Sequence, residues 1–208
     1  DWSSDVCSSD LSDFRDYKIV LLGPIAVGKT SIINRFCSGD FIAKTKSTVG
    51  AGFYSKLLTI DDTEVTLMIW DTAGDERFKA VTPSLLHGAN GYVLVYDLTS
   101  PQSFQLLHSY LEMIRQNTDT ASGIPILVMG NKKDVNENMV SKDEVANWMK
   151  ENGLELFEEV SAKTGENIDV GFNKLVSYLL KVKIDAVPKT IPLINAKEQT
   201  KTDRKSVV

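Results

Sequence analysis

Hydrophobic positions along this chain alternate between two rhythms. Tyr17 to Leu22 is a short β-rich run that stops at Gly23, and Ser31 to Cys37 follows with helical character before the Ser38-Gly39 break. From Phe53 to Ile60 and again from Glu64 to Trp70, apolar and polar residues alternate around Asp61-Asp62, which predicts an antiparallel hairpin. Tyr92 to Asp97, Ile126 to Gly130 and Leu156 to Val160 read as further strands, the first two nearly continuous in apolar residues, as strands covered on both faces are. Ser100-Pro101 starts a helix carrying Phe104, Leu107, Leu111 and Ile114 inward, and Ser141 with Glu144 forms a capping box for another that ends near Gly153. A last helix, about Ile168 to Lys181, buries Phe172, Leu175, Val176 and Leu179; after Lys183 the pattern stops and a flexible tail is expected. Such alternation predicts an α/β fold, a doubly wound, six-stranded, mostly parallel sheet flanked by about five helices, with ligands at the carboxyl ends of its strands.

Composition narrows the classes. With 208 residues, 42% apolar and 25% charged, the chain has the make-up of one globular domain, not of a disordered one. Its 28 acids against 23 bases leave no broad cationic face for a nucleic-acid backbone, so no nucleic-acid partner is expected. No apolar run approaches the roughly 20 residues of a membrane-spanning helix. Cys7 and Cys37 cannot build a disulfide framework, which suits a reducing, cytosolic setting. Residues 1–11, DWSSDVCSSDL, match a forward translation of a common sequencing-library adapter, and residues 203–208, DRKSVV, match the opposite one. The expected division is therefore adapter translation at 1–11 and 203–208, a domain at 12–183 and a hypervariable tail at 184–202, with a native C-terminus beyond Thr202.

Four motifs fall on the predicted strand ends. Gly23-Pro-Ile-Ala-Val-Gly28-Lys29-Thr30 fits GxxxxGK(S/T) between a strand and a helix. In such a loop the backbone N–H groups cradle a β-phosphate, Lys29 bridges β- and γ-oxygens, and the Thr30 hydroxyl ligates magnesium. The candidate phosphate-binding residues are Gly23, Ala26, Val27, Gly28, Lys29, Thr30 and Ser31. Asp71-Thr-Ala-Gly74 follows a strand, so Asp71 would hold magnesium and the Gly74 N–H would face the γ-phosphate. Asn131-Lys132-Lys133-Asp134 follows another, and a carboxylate at Asp134 can accept two hydrogen bonds from guanine N1–H and the 2-amine, a donor pair that adenine lacks. Ser161-Ala162-Lys163 would add a backbone N–H to guanine O6 and pack on the base. Alone, each could be an ordinary turn. Their order, each after its own strand, points to one guanine nucleotide with magnesium.

With these motifs the chain resembles the Ras-like small GTPases over about Asp16 to Val182, a P-loop NTPase G domain, and within them the Rab branch. Thr48-Val-Gly-Ala-Gly-Phe53, Leu67-Met-Ile-Trp70, Arg77-Phe-Lys-Ala-Val-Thr82 and Leu94-Val-Tyr-Asp-Leu-Thr99 carry that likeness; GAGF and AVGK look most like the early-endosomal Rabs. The resemblance implies that Thr48 is the switch I threonine, touching metal and γ-phosphate, and that Phe41 packs edge-on against the guanine. Two loops, about 41–54 and 73–86, would respond to GTP, and the output would be a partner-binding surface of Phe53, Trp70 and Leu85 that regulates vesicle traffic. It further implies a monomer that works with exchange factors, GTPase-activating proteins, effectors, a GDP-dissociation inhibitor and prenylation machinery. Such a protein attaches peripherally to the cytosolic face of endomembranes, endosomal ones being the candidate that GAGF and AVGK suggest, through a lipidated C-terminus.

Three departures qualify this picture. Where the resemblance expects a water-orienting glutamine the chain has Asp75, shorter, without an amide donor, and adding negative charge beside a transition state that already spreads it. Ile25 stands where a small residue is usual and would crowd both water and an arginine finger. Slow hydrolysis is expected, with catalytic residues Lys29, Thr48, Gly74 and Asp75; the alternative is a GTP-bound interaction module that barely hydrolyses. An ATP-using P-loop kinase is disfavoured by NKKD and SAK. The third departure is Leu85-Leu-His-Gly-Ala89 in place of the family's YYRGA, where Leu85 and Leu86 could equally be core residues and His87 a solvated helix end.

Overall fold

The computed structural model describes residues 15–43, 47–75, 82–118, 123–135, 137 and 139–186. The expectations for residues 1–11, 203–208, 187–202 and 76–81 lie outside these, as do residues 44–46 of the loop at 41–54.

Six strands form one sheet in the order β2-β3-β1-β4-β5-β6. They are β1 (Arg15–Leu22), β2 (Ala51–Ile60), β3 (Thr63–Thr72), β4 (Gly91–Asp97), β5 (Ile126–Asn131) and β6 (Leu156–Glu159). All neighbours run parallel except β2 with β3. That hairpin turns at Asp61 and Asp62, both at positive φ (49° and 61°), the left-handed pair that a two-residue hairpin turn needs and that a short acidic side chain tolerates.

Helices cover both faces. They are α1 (Lys29–Ser38), α2 (Thr82–Leu86), α3 (Pro101–Gln105), α4 (Leu107–Asn117), α5 (Lys142–Asn152) and α6 (Ile168–Ala186). Side chains alternate across β1, so Tyr17, Ile19 and Leu21 enter a core with Ile33, Phe36 and Phe172 of α1 and α6, whereas Val20 and Leu22 join Phe104, Leu111 and Met149 on the opposite face. The rings of Phe36 and Phe172 stack at 3.9 Å.

Three elements differ from their sequence reading. The helix begun at Pro101, capped by Ser100 accepting from the Ser103 N–H at 3.3 Å, breaks at Leu106. There the Leu106 carbonyl takes both the N–H and the hydroxyl of Ser109, at 3.1 and 2.8 Å, and a tight turn replaces a continuous α-helical ladder. In α6 the backbone stays helical to Ala186, past the limit read at Lys181, because no residue that cannot continue a helix occurs before Pro188. Of Leu85 and Leu86 only Leu86 is core; Leu85 is half-buried and His87 is exposed. Ser141 does cap α5, accepting from the Glu144 N–H at 3.1 Å, and Gly153 closes the helix in the left-handed conformation.

Since β1 lies between strands reached in opposite directions, the chain's winding reverses beside it, and the loops after β1, β3, β5 and β6 all emerge at one edge. The site forms there.

Candidate functional site

A cavity of about 530 Å³ opens at that edge. Of the candidate residues, Ala26, Gly28, Lys29, Thr30, Ser31, Phe41, Thr48, Gly74, Asp75, Asn131, Lys132, Asp134, Ala162 and Lys163 line it. Gly23, Val27, Asp71 and Ser161 stand behind the wall and act on it through hydrogen bonds. Ile25 is also on the wall and 52% exposed.

At one end the loop between β1 and α1 wraps the start of the helix. Gly28 precedes α1 at φ 95°, a left-handed conformation that favours glycine, and a Cβ there would meet the Asn131 amide nitrogen at 2.3 Å. Lys29 is buried at 6% exposure, its ammonium donating to the Gly23 and Pro24 carbonyls at 2.7 and 2.9 Å. Burial lowers its pKa to about 8, against the opposing pull of Asp71. Gly74 packs so closely on this loop that a Cβ would come within 2.6 Å of the Pro24 carbonyl and the Ile25 nitrogen.

Thr30, Thr48 and Asp71 converge. The Thr30 hydroxyl donates to Asp71 Oδ2 at 2.6 Å, the Thr48 hydroxyl to the same oxygen at 3.1 Å, and the two hydroxyls are 3.0 Å apart. Asp71 Oδ1 is buried with no hydrogen-bond partner among the described residues. Burial raises the Asp71 pKa, while Thr30, Lys29 and Thr48 favour its ionised form. An orphaned carboxylate oxygen among hydroxyls is a hard, oxygen-rich donor set, and no group of three or more acidic, His or Cys side chains capable of holding a metal occurs among the described residues. These residues fit magnesium, which takes one or two carboxylates and completes its shell with water and substrate phosphates.

The other end is built on Asn131. Its amide donates to the Val27 carbonyl at 2.8 Å, and its Oδ1 accepts the Ala162 N–H at 3.0 Å. Of the Ser161-Ala162-Lys163 segment, from which the sequence directs a backbone N–H at a guanine oxygen, the Ala162 N–H is thus engaged by Asn131 and that of Ser161 by the Glu166 carbonyl at 3.1 Å. Asp134 Oδ1 accepts the Ser161 hydroxyl at 2.6 Å, and Lys163 lies 3.5 Å from Oδ2. Burial pushes the Asp134 pKa up, but Ser161, a backbone hydrogen bond and Lys163 together hold it below the ordinary carboxyl range. Lys132, in the left-handed region at φ 69°, pairs with Asp97 Oδ2 at 2.5 Å.

Ile42, Ala43, Ser47 and Val135 line the cavity as well and were missed by motif reading. Val135 directly follows NKKD and the other three fall between Phe41 and Thr48, so proximity to a motif was the available signal. The three surface candidates lie elsewhere. Phe53, 56% exposed on β2, meets Trp70 edge-on at 5.3 Å and 64°. The Lys18 ammonium lies 5.5 Å from the Trp70 ring centre and donates to the His87 carbonyl at 2.7 Å, tying β1 to the segment after α2 on which Leu85 sits.

The model of the Ras family matches residues 18–181. The chain is 38% identical over 193 residues to Ras-related protein Rab-7b of Paramecium octaurelia, covering 89% of this chain and 94% of that protein. It is 41% identical over 177 residues to the probable Ras-related protein Rab-4A of Echinococcus multilocularis (83% and 78% covered) and 35% over 171 residues to Ras-related protein Rab7 of Drosophila melanogaster (81% and 83%). Both the extent of the match and these likenesses lead to one assignment: the chain belongs to the Ras family, among the Rab small GTPases, which bind guanine nucleotides.

Proposed function

We propose that this Rab GTPase is a GTP-dependent switch in vesicle traffic whose own hydrolysis of GTP is slow. The observation that carries this reading is that Asp75 and Ile25 both line the cavity, with Gly74, directly before Asp75, packed against the Ile25 backbone.

In this reading the loop after β1 wraps the phosphates, and protonated Lys29 exchanges the Gly23 and Pro24 carbonyls for phosphate oxygens. Thr30, Thr48 and Asp71 would hold magnesium, which neutralises phosphate charge when bound. Asp134 reads the guanine edge as an ionised acceptor, with Asn131, Lys132, Ser161, Ala162 and Lys163 shaping the base end and Phe41 beside it. Gly74 approaches the phosphate loop because it has no side chain to block it. Asp75 can neither donate a hydrogen bond when ionised nor sit beside developing negative charge without cost, so the attacking water is poorly oriented. Ile25, half-exposed at the cavity, would crowd a water or an incoming guanidinium there.

The output surface is Phe53, Trp70 and Leu85, where effectors would dock; exchange and activating factors, a dissociation inhibitor and the prenylation machinery would act on the same monomer at endomembranes. A second reading, a module that stays GTP-bound and scarcely hydrolyses, is favoured by the same Asp75 and Ile25. Nucleotide extracted from protein purified from cells tests both: mostly GDP supports a cycling enzyme, mostly GTP the locked module, and ATP overturns the guanine assignment.

A further inference from the structure

Arg35 lies in the last turn of α1, whose first turn carries Lys29 and Thr30, and its guanidinium joins segments far apart in the chain. Nε donates to the Ala162 carbonyl at 3.0 Å and Nη2 to the Lys163 carbonyl at 2.6 Å, while Nη1 closes onto the Gly39 carbonyl at 2.5 Å. A planar fork with donors in fixed directions sets the distance and the tilt of what it holds, which a point charge cannot do.

Both carbonyls belong to residues that line the cavity. Immediately before them, the Ser161 hydroxyl donates to Asp134 Oδ1 at 2.6 Å and accepts the Thr164 N–H at 3.1 Å. Movement of the Ala162–Lys163 backbone is therefore transmitted to the hydroxyl that aims the Asp134 carboxylate. On the far side the same helix is anchored in the phosphate loop, with the Ile32 N–H on the Gly28 carbonyl at 2.9 Å.

We infer that Arg35 is a positioning residue for base discrimination: by fixing the Ala162–Lys163 backbone against α1 it keeps Ser161, and through it Asp134, aligned with the two donors of guanine. The inference rests on the guanine reading of Asp134 given above. A purely structural role, such as favourable charge near the C-terminus of α1, would stabilise the fold and leave base preference unchanged.

The test compares release of GDP and of inosine diphosphate, which lacks the 2-amino group and so offers Asp134 one donor instead of two. Both are followed with magnesium present in the full chain and in Arg35→Ala and Arg35→Lys. The unaltered chain should hold GDP longer than the inosine nucleotide. Arg35→Ala should reduce that preference about threefold to tenfold, the scale of one ordinary hydrogen bond, since the Asp134 contact is misaligned and not removed. Arg35→Lys, able to reach one carbonyl but not both, should fall between, and serves as the test should the alanine variant fail to fold. Faster release of both nucleotides by one common factor, with the preference intact, overturns the inference and leaves Arg35 a structural residue. Absence of any guanine preference in the unaltered chain would instead overturn the underlying reading of Asp134, a result that requires no variant.

Discussion

The Thr30 hydroxyl and the Asp71 carboxylate, 41 residues apart in sequence, meet at 2.6 Å and join the first turn of α1 to the end of β3. Only one of the two carboxylate oxygens is used; the other is buried without a partner among the described residues. Asp71→Asn keeps the shape and removes the charge. Chelation of magnesium should speed GDP release from the unaltered chain at least about tenfold, and the asparagine variant should release it quickly whether or not magnesium is present. Stopped-flow release of a fluorescent GDP measures this.

Asp75→Gln supplies the missing amide donor and removes a negative charge from the phosphate end of the cavity. Single-turnover GTP hydrolysis should rise about tenfold or more, each factor of ten corresponding to about 1.4 kcal/mol of barrier. Adding Ile25→Ala should chiefly increase the response to a GTPase-activating protein, since it opens space without changing charge. An unchanged rate in Asp75→Gln would mean that another group orients the water.

Ser161→Ala removes the hydroxyl that helps hold the Asp134 pKa below the ordinary carboxyl range. A carboxyl depressed in the folded state adds stability that is present above its unfolded pKa and is lost as pH falls through the lower folded value. The variant should therefore be less stable than the unaltered chain at neutral pH, by about 1 kcal/mol after allowance for solvent screening, and the gap should narrow in acid without vanishing, because the Thr164 N–H also loses its acceptor. Denaturant titrations across the acid range give the curve.

Gly130 on β5 accommodates Tyr96, since a Cβ at position 130 would lie 2.7 Å from the Tyr96 hydroxyl and 2.9 Å from Leu98 Cδ2. Gly130→Ala should cost about 1–3 kcal/mol through overpacking and lower the melting temperature by several degrees. The Tyr96 hydroxyl is buried with no hydrogen-bond partner among the described residues. Tyr96→Phe should thus be close to neutral alone and recover part of the loss in the double variant, as thermal denaturation of all four proteins would reveal.

Much of the fold was legible because β4 and β5 carry nearly continuous apolar runs and the β2-β3 hairpin an alternation that the burial of β2 follows residue by residue; these patterns are local. The gathering of the loop residues was legible too, since each motif follows a strand and parallel strands bring their carboxyl ends to one edge. What escaped depended on contacts that sequence does not record. Leu85 and Leu86 differ only in helical phase, so nothing in LLHGA says which one turns inward. Arg35 on an amphipathic helix reads as a solvated cation, and its three carbonyl partners become visible only once α1 lies beside the loop after β6. The break at Leu106 arises from a serine turning back on a carbonyl, a competition that periodicity does not register.

Asn131 binds the Val27 carbonyl with one side of its amide and the Ala162 N–H with the other, so a single short side chain spans both halves of the pocket. The two halves cannot then loosen independently. A factor that ejects the ligand needs a grip on only one end, because leverage applied to the phosphate loop is felt at the base through one amide, and a ligand gone from either end leaves the other half open as well.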